Sequence, residues 1–205
     1  MLVDYGGVMT SSVTASFAKF CIREGVDPEQ FKAVVAEAYG ADGRGGVMAR
    51  VERGEIEADE FERWLATTLS VGLEKPLDPQ GIRDRMNEGI EPDERMAGAV
   101  LRLRSGGVRT GLVSNSWGGP YERERFDELF DAVVISGEAG TRKPEPEIYL
   151  LAAETLGVGP NECVFVDDLL QNVEGARLVG MEAFVHRSAE FTIPKLEGLF
   201  GVSLG

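Results

Sequence analysis

Five short apolar runs constrain this chain more than any other feature. Met1 to Val3, Thr110 to Val113, Ala132 to Ile135, Cys163 to Val166 and Glu182 to Val185 are rich in β-branched and aromatic residues and nearly unbroken. Runs without alternation fit strands buried on both faces, as in a parallel sheet. Helical patterns lie between them. Asp93 to Arg104 follows Pro92 and ends at Gly106-Gly107; Glu145 to Leu156 opens with prolines and stops at Gly157; Leu170 to Val179 stops at Gly180. These are ordinary helix start and stop signals. Alternating strand and helix predicts a doubly wound, Rossmann-like α/β sheet with right-handed crossovers. Ligands in such sheets bind beyond the carboxyl ends of the strands. Only Met1, Leu2 and Val3 precede Asp4, fewer than the usual strand of about five residues. The first strand is therefore expected to be short, or to continue a chain that begins upstream.

Residues 14–87 break the rhythm. "TASFAKFCIREG", "PEQFKAVVAEAYG" and "EADEFERWLATTLS" are helical by period, with capping-type starts and no strand signal between them. The segment reads as a helical insertion after the first strand, leaving 1–13 and 88–205 as the α/β core. The glycine-rich stretch Gly40 to Gly46 is expected to be a turn inside it, and "NEGIEPD" to return the chain to the core.

Composition excludes several functions. A chain of 205 residues with 43% hydrophobic residues can bury a core with a modest second unit. The net charge of −14 repels phosphate backbones, so no nucleic-acid partner is expected. It also means that any anionic substrate must meet positive charge supplied locally. No apolar run reaches about 18 residues, and no signal-peptide pattern opens the chain, so the expectation is a cytoplasmic protein with no membrane partner. Cys21 and Cys163 are far apart, fit no metal spacing, and read as buried free thiols.

Polar residues stand at the strand ends: Asp4 after the first, Ser114 and Asn115 after the second, Asp167 and Asp168 after the fourth. Lys143 lies in "GTRKPEPEIY", just before a proline-started helix. In a doubly wound sheet these ends converge. Clustered carboxylates repel one another unless a cation joins them, and Mg²⁺ prefers such hard oxygen ligands. Lys143 and Mg²⁺ would neutralise a phosphate, Ser114 Oγ and the Asn115 N–H would hold its oxygens, and Asp4 could attack phosphorus.

Four stretches in order, "LVDYGGV", "GLVSNS", "RKPEPEIY" and "VFVDDLLQNVEGA", resemble the motifs of the haloacid dehalogenase-like hydrolase superfamily. The resemblance covers the whole chain and implies that 14–87 is a small helical cap. It implies a Mg²⁺-dependent hydrolase, a phosphatase acting on a small phosphorylated substrate. Asp4 would be the nucleophile and a metal ligand, the Gly6 carbonyl, Asp167 and Asp168 further ligands. Ser114 would bind the phosphoryl group, Lys143 would balance charge, and Asn172 would support the fourth motif. It leaves the oligomeric state open. One departure matters: typical phosphatases of the family carry an aspartate general acid where Gly6 stands. General acid-base catalysis contributes about 10²–10⁴-fold, so a weakened enzyme is expected.

Other readings stay open. The chain could be a binding or regulatory relative whose catalysis has decayed, or a 2-haloacid dehalogenase, although the Asp167-Asp168 pair favours a metal. Phosphonate-cleaving relatives use a cap lysine; Lys19, Lys32 and Lys75 read instead as solvated. His186 is expected in a surface loop, Arg123 and Arg125 among solvated charges, and Trp64 in a helical core. Trp117 and Tyr121 read equally as pocket lining or as packing beneath a loop.

Overall fold

The computed structural model describes residues 1–40, 45–117, 121 and 123–204. Among them, five parallel strands form one sheet: β1 (Leu2–Val3), β2 (Gly111–Ser114), β3 (Ala132–Ile135), β4 (Val164–Asp167) and β5 (Glu182–Val185). Their order is β3-β2-β1-β4-β5. The chain steps outward from β1 through β2 to β3, then returns to β1's other side for β4 and β5. The switch point is therefore at β1, flanked by β2 and β4. β1 is short but held on both sides, Leu2 and Val3 aligning with Gly111 and Leu112 and with Phe165 and Val166.

Three strands differ from the apolar reading by one residue, β1 starting at Leu2 and not at Met1. β2 and β4 start one position later and each takes in a polar residue, Ser114 and Asp167. Hydropathy alone ends a strand at its last apolar residue. Backbone pairing continues, aligning Ser114 with Ile135 and Asp167 with Val185.

Helices cover both faces: α6 (Glu94–Ser105), α7 (Arg123–Leu129), α8 (Ser136–Ala139), α9 (Pro146–Leu156), α10 (Leu170–Leu178) and α11 (Ala189–Phe200). Val3, Leu112 and Val166 face one apolar cluster with Met96, Val100, Phe126 and Leu196. Leu2, Val113 and Phe165 face the other, with Ile148, Tyr149 and Val173. Adjacent residues of each strand thus supply opposite cores, which is why the runs show no alternation.

The inserted segment folds into α1 (Val13–Glu24), α2 (Pro28–Tyr39), α3 (Val47–Glu52), α4 (Ala58–Leu69) and α5 (Ile82–Asn87). Ser12 and Asp27 cap the first two, accepting bonds from Ala15 and from Glu29 and Gln30. Their inner faces form a separate apolar cluster containing Phe20, Phe31, Met48, Phe61, Leu65 and Met86. Positions 41–44 of the expected glycine-rich turn lie outside the described residues. The chain leaves and returns through paired segments: the Ser11 N–H donates to the Glu91 carbonyl at 2.7 Å and the Asp93 N–H to the Met9 carbonyl at 2.8 Å.

A glycine contact joins the helical layer to the sheet layer beyond α3. Gly54 has φ of 71°, and a Cβ there would lie 2.4 Å from the Gly137 carbonyl oxygen. Gly54→Ala should lower stability by more than about 1 kcal/mol, read as a reduced urea midpoint. An unchanged midpoint would show that this close approach is not maintained.

Candidate active site

Asp4 follows β1, Ser114 ends β2 and Asp167 ends β4, so the switch point brings them to one crevice. The turn before α9 adds Lys143. Its ammonium has no exposed surface and donates to Asp4 Oδ1 at 2.5 Å and to Asp167 Oδ2 at 2.7 Å. Asp167 is held further by the Leu169 N–H at 2.9 Å and by Asn172 Nδ2, 3.0 and 3.1 Å from its two oxygens. Asn172 Oδ1 is buried without a hydrogen bond among the described residues. Turning the amide over would set that oxygen against a carboxylate, so Asp167 fixes its orientation. Tyr149 secures the other side of Asn172, its hydroxyl donating to the backbone carbonyl at 2.8 Å.

Asp168 completes the group. Asp4, Asp167 and Asp168 each offer an oxygen within 4.8 Å of the others. Gly7 leaves room for it: φ is 79°, and a Cβ would lie 2.5 Å from Asp168 Oδ2. Gly6 differs. Its φ is not left-handed, and a Cβ there would meet Val13 Cγ2 at 3.1 Å. Backbone conformation does not require glycine at position 6, but Val13 crowds any side chain placed there.

The electrostatics follow from burial. Desolvation pushes Asp4 up to about 7, with Lys143 opposing the rise and Asp167 adding to it. Desolvation and the neighbouring Asp167 raise Asp168 to about 6. Burial alone would lower Lys143, but Asp167 and Asp4 more than offset it and hold the ammonium above its usual range. One ammonium among three carboxylates leaves the cluster short of positive charge. Such a donor set fits a hard divalent cation such as Mg²⁺.

The remaining expected site residues take distinct places. Ser114 is buried, its hydroxyl 3.2 Å from the Tyr121 hydroxyl. The Asn115 side chain is committed to the backbone of Lys143: Oδ1 accepts from its N–H at 2.8 Å, and Nδ2 donates to its carbonyl at 3.0 Å. Tyr121 packs edge-on to Tyr5. Trp117 stacks on Phe17 of α1 and meets Phe61 of α4 edge-on, so it packs with the helical layer. Trp64 stacks on Phe61 in the same cluster.

His186 corrects the sequence expectation. It is buried, with Nδ1 2.9 Å from the Thr192 hydroxyl, and desolvation lowers its pKa. The cause is α11, whose first turns fold back over the end of β5; Pro194 within that helix obscures its pattern. Arg123 pairs with Glu138 and Arg125 with Glu94 at partly exposed positions. Lys19, Lys32 and Lys75 are exposed, and both cysteines are buried and free.

Sequence reasoning missed Glu52 and Arg142. Glu52, at the end of α3, is buried and ion-paired with Arg142, the residue before Lys143. Nothing local marks Glu52, because "ARVERGE" reads as a solvated helix end. Arg142 directly precedes Lys143, and that adjacency was the available signal.

Fold and site together define a doubly wound α/β protein with a lysine-braced acidic centre at its switch point. A family model for the haloacid dehalogenase-like hydrolases matches residues 2–180, and the chain belongs to that family. Over 98% of its length it is 29% identical to the bifunctional epoxide hydrolase 2 of Sus scrofa, of which it spans only 38%. It is 32% identical to the sesquiterpene phosphatase astK of Aspergillus oryzae, over 73% of this chain and 77% of that one. A HAD family enzyme from Bacteroides thetaiotaomicron, solved with magnesium and inorganic phosphate, shares the fold. Its TM-score is 0.64 at 23% identity, covering 91% of this chain and 92% of that one. No helix among the described residues is long and apolar enough to cross a membrane.

Metal ligands must be deprotonated. The raised carboxylates Asp4 and Asp168 hold protons below about pH 7 and about pH 6 that a Mg²⁺ ion bound by them would have to displace. Mg²⁺ affinity should therefore strengthen as pH rises from about 5 to about 8, with proton release. Calorimetry in two buffers of different ionisation heat measures both. A flat affinity without proton release would contradict the raised carboxylates.

Proposed function

We propose that the chain is a Mg²⁺-dependent phosphatase acting on small phosphorylated compounds through an aspartyl phosphate at Asp4. The observation that carries this reading is the buried Lys143 ammonium held between Asp4 and Asp167 beside a third carboxylate, Asp168. A phosphate ester brings negative charge to an acidic protein, and here the Lys143 ammonium, together with a cation held by the three carboxylates, would supply the opposing charge.

Asp4 is the nucleophile in this reading. A carboxylate oxygen bonds to phosphorus, the ester oxygen leaves with its electron pair, and water then cleaves the acyl phosphate. Lys143 aims the Asp4 carboxylate, opposes the rise that burial causes in its pKa, and meets the charge of the transferring group. Asp4, Asp167, Asp168 and the Gly6 carbonyl would hold the cation, which when bound supplies positive charge to the phosphoryl oxygens. Ser114 binds a phosphoryl oxygen through its hydroxyl. Asn115 contributes its backbone N–H, because its side chain already serves Lys143. The helical segment 14–87 acts as the cap that excludes water and selects the substrate.

Gly6 sets the character of the enzyme. It has no side chain to protonate a leaving group, so substrates whose leaving groups depart unprotonated should be favoured. With Mg²⁺ present, an aryl phosphate should turn over faster than an alkyl phosphate by about 10²-fold or more. Asp4→Asn should abolish turnover and the phosphate adduct seen by intact-mass measurement. Equal rates on both esters would mean that another group supplies the proton. No turnover of any phosphate would overturn the reading in favour of a binding protein, and halide release from a 2-haloacid would overturn it in favour of a dehalogenase.

A further inference from the structure

The helical segment reaches the Lys143 turn through two consecutive residues at the end of α3. Glu52 Oε2 accepts from Arg142 Nε and, at 3.4 Å, from Asn115 Nδ2. Glu52 Oε1 accepts from Trp117 Nε1 at 3.1 Å and from the Tyr39 hydroxyl at 3.0 Å. The next residue, Arg53, pairs with Glu145 at 3.2 Å. Glu145 in turn accepts from the Arg142 N–H at 3.0 Å and from the Thr141 hydroxyl at 3.1 Å. Tyr39 also lies against the Arg142 guanidinium, its ring centroid 5.3 Å from Cζ. Glu52 is 2% exposed and Arg142 equally buried.

We propose that Glu52 is a positioning residue that sets Lys143 from within the inserted helical layer. The proposal rests on the phosphatase reading above. Two routes lead from Glu52 to Lys143. One runs through Arg142, its neighbour in the chain. The other runs through Asn115, whose amide grips the Lys143 peptide at both its N–H and its carbonyl. Among the described residues, Asn115, Trp117 and Arg142 donate to Glu52 from loops of the sheet layer, and Tyr39 donates from the helical layer. The carboxylate therefore completes the cradle of Lys143 only when the helical layer is seated. Seating the layer and placing the ammonium become one event, which is how a closing element can assemble a site. Glu52 touches neither the reacting atoms nor the carboxylate cluster in this arrangement.

The test compares wild type, Glu52→Gln and the double variant Glu52→Gln/Arg142→Met on an aryl phosphate with Mg²⁺, with melting temperature measured alongside. Glu52→Gln should lower kcat by about 10–100-fold with KM changed less than about 3-fold, because positioning of a charge acts on the transferring group. It should also lower the melting temperature, because removing one partner leaves a buried guanidinium poorly compensated. The double variant removes both charges and should recover melting temperature while kcat stays low. Recovery of kcat together with melting temperature would overturn the proposal and make the pair merely structural. So would a folded Glu52→Gln variant with wild-type kcat, which would leave the phosphatase reading standing. A wild-type protein without turnover would overturn both.

Discussion

A lysine ammonium with no exposed surface lies between the first and fourth strand ends, bonded at 2.5 and 2.7 Å to Asp4 and Asp167. Taking ions out of water costs several kcal/mol each unless geometry and further hydrogen bonds compensate. The surrounding fold supplies that compensation. Asn172 and the Leu169 N–H secure Asp167, Asn115 secures the Lys143 peptide, and Gly7 yields space to Asp168. The partners come from the segments that follow β1, β2 and β4 and meet the turn before α9, so the arrangement exists only where the sheet reverses its order.

Two buried ion groups adjoin in the chain at Arg142 and Lys143. Lys143 belongs to the sheet crevice, and Arg142 to Glu52 in the helical layer. Consecutive residues cannot move independently, so the interface between the layers and the acidic centre share one turn. The close approach of Gly54 to Gly137 lies beside the same interface. The protein thus buries two of its 21 Lys and Arg side chains at adjacent positions and uses carboxylates to hold both.

Much of the fold was legible because burial on both faces writes unbroken apolar runs, and helix ends write prolines and glycines. The strand ends were less so. Ser114 and Asp167 remain in the ladder, although hydropathy stops at Val113 and Val166. The depth of His186 was hidden by Pro194, which masks α11. Asp4, Lys143, Asp167 and Asp168 were legible as a group because each follows or adjoins a readable strand or helix boundary. Glu52 was not, since a charged residue among charges carries no local mark of burial.

The sequence by itself determined the succession of the five strands along the chain, the acidic residues at the strand ends and the lack of a side-chain acid at Gly6. These depend on local periodicity and on residue identity, which need no partner to be read. Only the tertiary structure decided that Asn115 serves Lys143 through its side chain, that Trp117 packs with the helical layer, and that Glu52 meets Arg142 across 90 residues. Asn115 and Lys143 meet because the end of β2 and the turn before α9 share one crevice, whereas Trp117 and Glu52 find their partners only where the helical layer packs on the sheet layer.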